Sequence, residues 1–247
     1  MHHFFVPEKP DEEGLITITG EALKHMNVLR LKAGEEVTVS DGEDRDYYCT
    51  VVSADRSSVV LKAESGRESA ELPLEITLYQ GFPKADKMEL IVQKAVELGA
   101  ARVVPVIMDR CVAKPDEKRL KARLERWNQI ARSAAEQSGR SRVPSVEPAM
   151  PLKQAAEDAK DGLMIVPYES ADGMRAAREV LEDLQAGQKI GVFIGPEGGF
   201  EPAEIELCRQ AGAKIISLGR RILRTETAGL VALSALMLAM EMKRDGD

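Results

Sequence analysis

Histidine is nearly missing from this chain. His2, His3 and His25 are the only three, and nothing beyond residue 25 adds another. That excludes a Ser-His-Asp triad, an HExxH zinc helix or a histidine general base across most of the sequence. Cysteine is as sparse: Cys49, Cys111 and Cys208 are far apart and odd in number, so neither a disulfide framework nor a CxxC zinc site is available. No metal is expected. No two glycines are separated by a single residue, and G-x-x-x-x-G-K-[ST] does not occur. A dinucleotide-type Rossmann loop, the G-x-G loop of Rossmann-type methyltransferases and a P-loop are therefore excluded. The longest apolar run, residues 229–240, is interrupted by Ser234 and too short to span a bilayer. The first residues carry no cationic patch leading into an apolar stretch. The expectation is a cytoplasmic protein with no membrane contact.

What is present reads as a soluble globular chain. Its 247 residues are 44% hydrophobic and 30% charged, enough to bury the core of one large domain or two smaller ones. The net charge of −7 is unevenly spread. Residues 1–70 carry 8 Lys+Arg against 14 Asp+Glu, whereas residues 110–142 carry 10 against 4. The second stretch is a local excess of positive charge able to track a phosphate backbone.

Taken in order, residues 1–70 predict a small β-rich domain, a barrel or sandwich. Its strands are expected at 15–19, 36–40, 47–52 and 58–63, with a short helix over 21–29 and an Asp41-Gly42 turn. The polar stretch 63–72 predicts a linker. From residue 71 to 247 the rhythm is that of an α/β domain. Strands are expected at 74–80, 102–106, 163–167, 189–194 and 214–218. Helices are expected at 86–98, 116–137, 173–185, 201–212 and 227–243. Such alternation predicts a mostly parallel sheet covered on both faces. The last helix is apolar nearly all round, which predicts burial on more than one side, with a second subunit as one source of cover.

Two stretches dominate the second domain. In Ile194-Gly195-Pro196-Glu197-Gly198-Gly199-Phe200 a strand breaks into glycines that let backbone approach a ligand where a Cβ would interfere. Phe200-Glu201-Pro202 then opens a helix. In Ser217-Leu218-Gly219-Arg220-Arg221-Ile222-Leu223-Arg224-Thr225-Glu226-Thr227-Ala228 the design repeats, with Thr225 or Thr227 as helix cap. Two ordinary βα loops would also read this way; as a pair they look like two walls of one site. With no histidine and no metal cluster, the site suits an electrophile that arrives activated, so that positioning supplies much of the catalysis. Arg220, Arg221 and Arg224 place fixed positive charge where phosphate or a developing anion would be held.

These motifs resemble those of the RsmE family of ribosomal RNA small-subunit methyltransferases, within the SPOUT superfamily. The similarity extends to Asp86-Lys87-Met88-Glu89, Gln93-Lys94, Glu97-Leu98-Gly99, Arg126-Trp127, Ala135-Glu136-Gln137-Ser138 and Arg140. Near the start, His3-Phe4-Phe5-Val6 and His25-Met26-Asn27-Val28-Leu29-Arg30 match as well, although the family often has arginine where this chain has His3. The resemblance implies a PUA-like RNA-binding β-barrel over 1–70 and a trefoil-knotted SPOUT domain over 71–247, assembled as a homodimer. It implies transfer of a methyl group from S-adenosyl-L-methionine to N3 of a uridine in the 16S rRNA of the small ribosomal subunit. Carried onto this chain, the cofactor would lie against Ile194, Gly195, Pro196, Glu197, Gly198 and Gly199 and against Leu218, Gly219, Ile222, Leu223, Thr225, Thr227 and Ala228. Arg224 would be catalytic, with Glu226 a candidate proton acceptor, and Arg30, Lys32, Lys84 and Arg140 would hold RNA. Two alternatives stand beside this reading: another SPOUT enzyme acting on a ribose 2′-hydroxyl or a tRNA base, and a non-catalytic RNA-binding or ribosome-assembly protein.

Overall fold

The computed structural model describes residues 2–42, 45–67, 69–112, 117–171 and 173–244. The chain divides into two units, Met1–Glu71 with Ala135–Val143, and Leu72–Ala134 with Pro144–Asp247.

The first unit contains β1 (His2–Phe5), β2 (Leu15–Ile18), α1 (Gly20–Leu29), β3 (Glu36–Ser40), β4 (Asp46–Ala54) and β5 (Val59–Arg67). Its sheet runs in the order β1-β3-β4-β5-β2. Alternate residues along the strands, Ile16 and Ile18, Val37 and Val39, Val59 and Leu61, turn inward and pack with Leu23, Met26 and Leu31. The sequence missed β1, four residues that pair in parallel with β3; so short a segment carries no readable alternation. The first half of the linker expected at 63–72 is strand, since β5 continues to Arg67 opposite Asp46.

Residues 135–143 join this unit through a buried polar network. Ser141 Oγ donates to Asp46 Oδ2 at 2.7 Å, and Ser40 Oγ donates to the other carboxylate oxygen. The Arg140 guanidinium holds the Glu71 carboxylate, which also accepts the Ser141 amide at 3.0 Å. Arg140 is 5% exposed. Arg140, expected to hold RNA, has its guanidinium paired with Glu71 inside the first unit, as a buried cation requires.

The second unit carries β6 (Glu75–Gly81), α2 (Lys87–Glu97), β7 (Arg102–Ile107), α3 (Glu117–Ser138), β8 (Ser145–Val146), β9 (Met150–Pro151), α4 (Leu152–Asp158), β10 (Leu163–Pro167), α5 (Arg175–Glu182), β11 (Lys189–Ile194), α6 (Pro202–Gln210), β12 (Lys214–Ile216) and α7 (Thr225–Arg244). The order β12-β10-β11-β6-β7-β8 is parallel throughout, with β9 also on β7. The mixed α/β class with a parallel sheet is as expected. Central strand β11 is an apolar run after Lys189, and β6 is buried from Ile76 to Gly81 with Thr77 and Gln80 among its apolar residues, as strands covered on both faces are. The sequence missed β8, β9 and α4, which are too short for a period to register. Asp116, expected to open the third helix, lies outside the described residues.

Helix α7 begins at Thr225 rather than Thr227, so neither threonine caps it. Its 20 residues are long and apolar enough in composition to cross a membrane, because the helix extends past the apolar run at both ends. Its buried face, with Gly229, Ala232, Leu233, Leu236 and Met240, packs within the unit against α2, α5, β6 and β11. Val231, Leu238 and Met242 on the other side stay exposed, so this unit by itself covers only one face.

Candidate active site

Three neighbouring strands, β12, β10 and β11, release their chains at one edge of the parallel sheet, the usual position of a ligand crevice in an open α/β fold. The loop after β11 is held from several sides. Gly199 N–H donates to Pro196 O at 2.9 Å, closing a turn in which Gly199 has φ +71°. A Cβ on Gly195 would stand 3.1 Å from Gly199 and Phe200, and one on Gly81 of β6 would stand 2.5 Å from Pro196 N. Arg110 clamps the outer side, Nε to Glu201 at 2.6 Å and Nη1 to Gly198 O at 2.9 Å. Glu201 and Glu204 form a capping box at the start of α6.

Glu197 faces two lysines. Its carboxylate accepts the Lys84 amide at 3.1 Å and the Lys87 ammonium at 3.0 Å, and Lys87 also reaches Glu226 at 3.1 Å. The loop that presents Lys84 turns at Ala85, which holds a left-handed φ of 53°. Burial pushes the Glu197 carboxyl upward, but the backbone amides and Lys87 outweigh it and hold the group below the usual carboxylate range. The hydrogen bond to Glu197 raises the Lys87 ammonium above its ordinary value, against a smaller effect of burial. Lys87 therefore stays a cation at neutral pH and is unsuited to accept a proton.

The loop after β12 is more open. Gly219 has φ +109° and its amide bonds Ser217 Oγ at 3.2 Å. Arg220, Arg221 and Arg224 are exposed, as is Ile222 at 82%. Thr225 then ties the two loops together, its hydroxyl donating to Gly195 O at 2.6 Å.

Between the loops lies a cavity of about 380 Å³, within the range of small-molecule sites. Ile194, Leu218, Ile222, Leu223 and Ala228 give it apolar walls suited to a flat ring. Glu169 and Glu197 bring negative charge suited to a cationic group, and Arg221 and Arg224 bring positive charge at its rim. Among the described residues no group of three or more His, Cys, Asp or Glu side chains gathers as a metal set.

A model of the RNA methyltransferase domain matches residues 70–237, and one of the RNA methyltransferase PUA domain matches residues 18–64. The ribosomal RNA small subunit methyltransferase E of Bacillus subtilis (strain 168) is 35% identical over 253 residues, 99% of each chain. The chain belongs to the ribosomal RNA small subunit methyltransferase E family. A solved member of this family, from Neisseria gonorrhoeae and bound to S-adenosyl methionine, has a TM-score of 0.81 at 31% identity, over 96% of this chain and 97% of its own. A Legionella pneumophila methyltransferase in complex with the cofactor SAM gives 0.79 at 32%, over 96% of both.

Within this methyltransferase fold, Ile194, Gly195, Pro196, Glu197, Gly199, Leu218, Gly219, Ile222, Leu223, Thr225 and Ala228, expected against the cofactor, line the cavity, and so does Arg224, expected as the catalytic group. Gly198 and Thr227 are not among its lining residues. Gly198 is instead the close-approach point for Arg110, where a Cβ would stand 2.9 Å from the arginine's own. Thr227 faces outward on α7. Arg30, Lys32 and Lys84 are exposed cations. The sequence missed Pro167, Tyr168 and Glu169 at the end of β10, and Lys87. Their signal was weak: β10 was predicted correctly, and only its adjacency to β11 and β12 makes its final residues part of the wall.

Proposed function

We propose that this chain methylates N3 of a uridine in 16S ribosomal RNA, using S-adenosyl-L-methionine bound between the two glycine loops. The observation that carries the reading is the cavity itself, where glycine backbone, apolar walls, two carboxylates and Arg224 converge at the strand ends. These residues fit the cofactor: the walls suit adenine, Glu169 and Glu197 suit its cationic groups, and Gly195 presents bare backbone to the cavity. When bound, the cofactor supplies an electrophilic methyl group on sulfur.

The residues then divide the remaining work. Attack by uracil N3 requires loss of its proton and places negative charge on the ring. Arg224, exposed at the rim, stabilises that charge or an adjacent phosphate. Glu226 is held in an ion pair with Lys87. Arg30, Lys32 and Lys84 engage the RNA backbone, with the first domain, 1–70, as the RNA-binding part and 71–247 as the catalytic part. The protein acts in the cytoplasm as a homodimer; the exposed Val231, Leu238 and Met242 on α7 support a second copy as the cover for that face.

The test is transfer of labelled methyl from S-adenosyl-L-methionine to undermethylated small subunits, naked 16S RNA and bulk tRNA, followed by nucleoside mass spectrometry. 3-Methyluridine from ribosomal substrate is the expected product. A ribose-methylated nucleoside or a tRNA product would overturn the target, and no product on any RNA would favour the non-catalytic reading. For the dimer, a monomer mass by light scattering at micromolar concentration would remove the α7 interface.

A further inference from the structure

Gln80 is a polar side chain at the end of a buried parallel strand, fully shielded from solvent and beneath the site rather than in it. Its Nε2 lies 2.8 Å from Thr225 Oγ1 and 3.1 Å from Gly81 O. The carbonyl of Gly81 can only accept. Thr225 has one hydroxyl proton, and the 2.6 Å contact with Gly195 O uses it. Both neighbours of the Gln80 amide therefore demand a donor, which fixes its orientation: NH₂ toward Thr225 and Gly81, Oε1 toward the other side. Oε1 is buried and has no hydrogen-bond partner among the described residues. It lies beside Gly229, where a Cβ would stand 3.6 Å away, so the glycine leaves the amide in ordinary contact rather than compressed.

A buried amide with one orphaned oxygen costs stability, and leucine or methionine of similar size would fill the place at no such cost. What the glutamine gives in exchange is a directed chain of hydrogen bonds, from Gln80 to Thr225 to the carbonyl of Gly195. Its two upper members both line the cavity. The chain joins β6, the first turn of α7 and the first glycine loop, three segments that meet only through folding.

We infer that Gln80 is a positioning residue for cofactor binding, acting through Thr225 to fix the direction of the Gly195 peptide. The inference rests on the cofactor reading above. Without the amide, the Thr225 hydroxyl loses its donor and is free to turn, and the Gly195 carbonyl loses its hold. The floor of the cavity must then be ordered at the moment of binding, which costs affinity.

The experiment is calorimetric titration with S-adenosyl-L-homocysteine of the wild type and of Gln80→Met, Thr225→Val, Thr225→Ser and the double variant Gln80→Met/Thr225→Val, alongside thermal unfolding of each. Gln80→Met and Thr225→Val should each weaken binding by about tenfold. The double variant should be no weaker than the worse single one, because both cut the same chain. Thr225→Ser, which keeps the hydroxyl but trims the methyl that faces the cavity, should recover most of the affinity that Thr225→Val loses. In turnover assays Gln80→Met should raise KM for S-adenosyl-L-methionine more than it lowers kcat. Unchanged affinity in a folded Gln80→Met protein would overturn the inference, as would losses that multiply in the double variant. If Gln80→Met fails to fold, equal binding by Thr225→Val and Thr225→Ser overturns it instead. A wild type that binds neither the product nor S-adenosyl-L-methionine would remove the cofactor reading, a result distinct from the failure of the relay alone.

Discussion

The two glycine loops look alike in sequence and are built differently. The loop after β11 is tied to the Lys84 amide, Lys87, Arg110 and Thr225, and a Cβ on Gly195 or Gly198 would crowd the Gly199 backbone or the Arg110 side chain. The loop after β12 exposes three arginines and Ile222, and a Cβ on Gly219 would meet nothing within 4 Å. One loop is a fixed floor and the other a rim whose side chains remain available. A floor resists substitution through the stability of the fold, whereas a rim does so through the reaction alone.

The sharpest way to break this contrast is at Gly81. Alanine there drives a Cβ into Pro196 backbone and should cost about 3 kcal/mol in urea denaturation, whereas Ile222→Ser on the rim should stay within about 0.5 kcal/mol of wild type. Arg224→Ala should do the reverse of Gly81→Ala. We expect kcat/KM for methyl transfer to fall by about 100-fold with the unfolding midpoint unchanged; unaltered turnover would remove Arg224 from the mechanism.

Lys87→Met cuts both ion pairs that join the floor to the start of α7. Being partly exposed, those pairs are individually weak, so affinity for S-adenosyl-L-homocysteine should drop only about fivefold. The Glu197 carboxyl offers a pH test. Its folded pKa is depressed, so its contribution is present above the ordinary carboxylate value and is lost as pH falls through the folded one. Between about pH 5 and pH 3 the wild-type melting temperature should therefore fall more steeply than that of Glu197→Gln. The smallest signal lies behind the floor. Burial pushes the Cys208 thiol of α6 up to about 11 and also raises Cys111. Alkylation at pH 8 should be slow at both in the native state and fast after unfolding. Rapid native labelling of either would mean that the floor opens readily.

Much of the site was legible because glycine and arginine carry local meaning. Gly195, Gly199 and Gly219 announced backbone that other residues adopt poorly or crowd, and Arg224 stood beside a helix start where anions are held. Thr225 was legible only as a residue of interest. Expected to cap α7, it belongs to the helix and spends its hydroxyl on Gly195, thirty residues earlier in the chain. Arg140 was legible only as a cation in a basic run; that it pairs with Glu71, 69 residues away, is a contact the local sequence does not show.

The alternation of strands and helices, the two loops and the family motifs are written in neighbouring residues, through period, turn chemistry and spacing. What those loops touch is set by the packing of distant segments. Parallel strands joined by crossovers bring together the ends of β6, β10, β11 and β12, far apart in the chain, and the order in which they pair leaves no local trace. That order set Tyr168 and Glu169 into the cavity wall, Lys87 between Glu197 and Glu226, and Gln80 beneath Thr225. Each is a contact between segments, and its energy depends on distances that neighbouring residues do not fix.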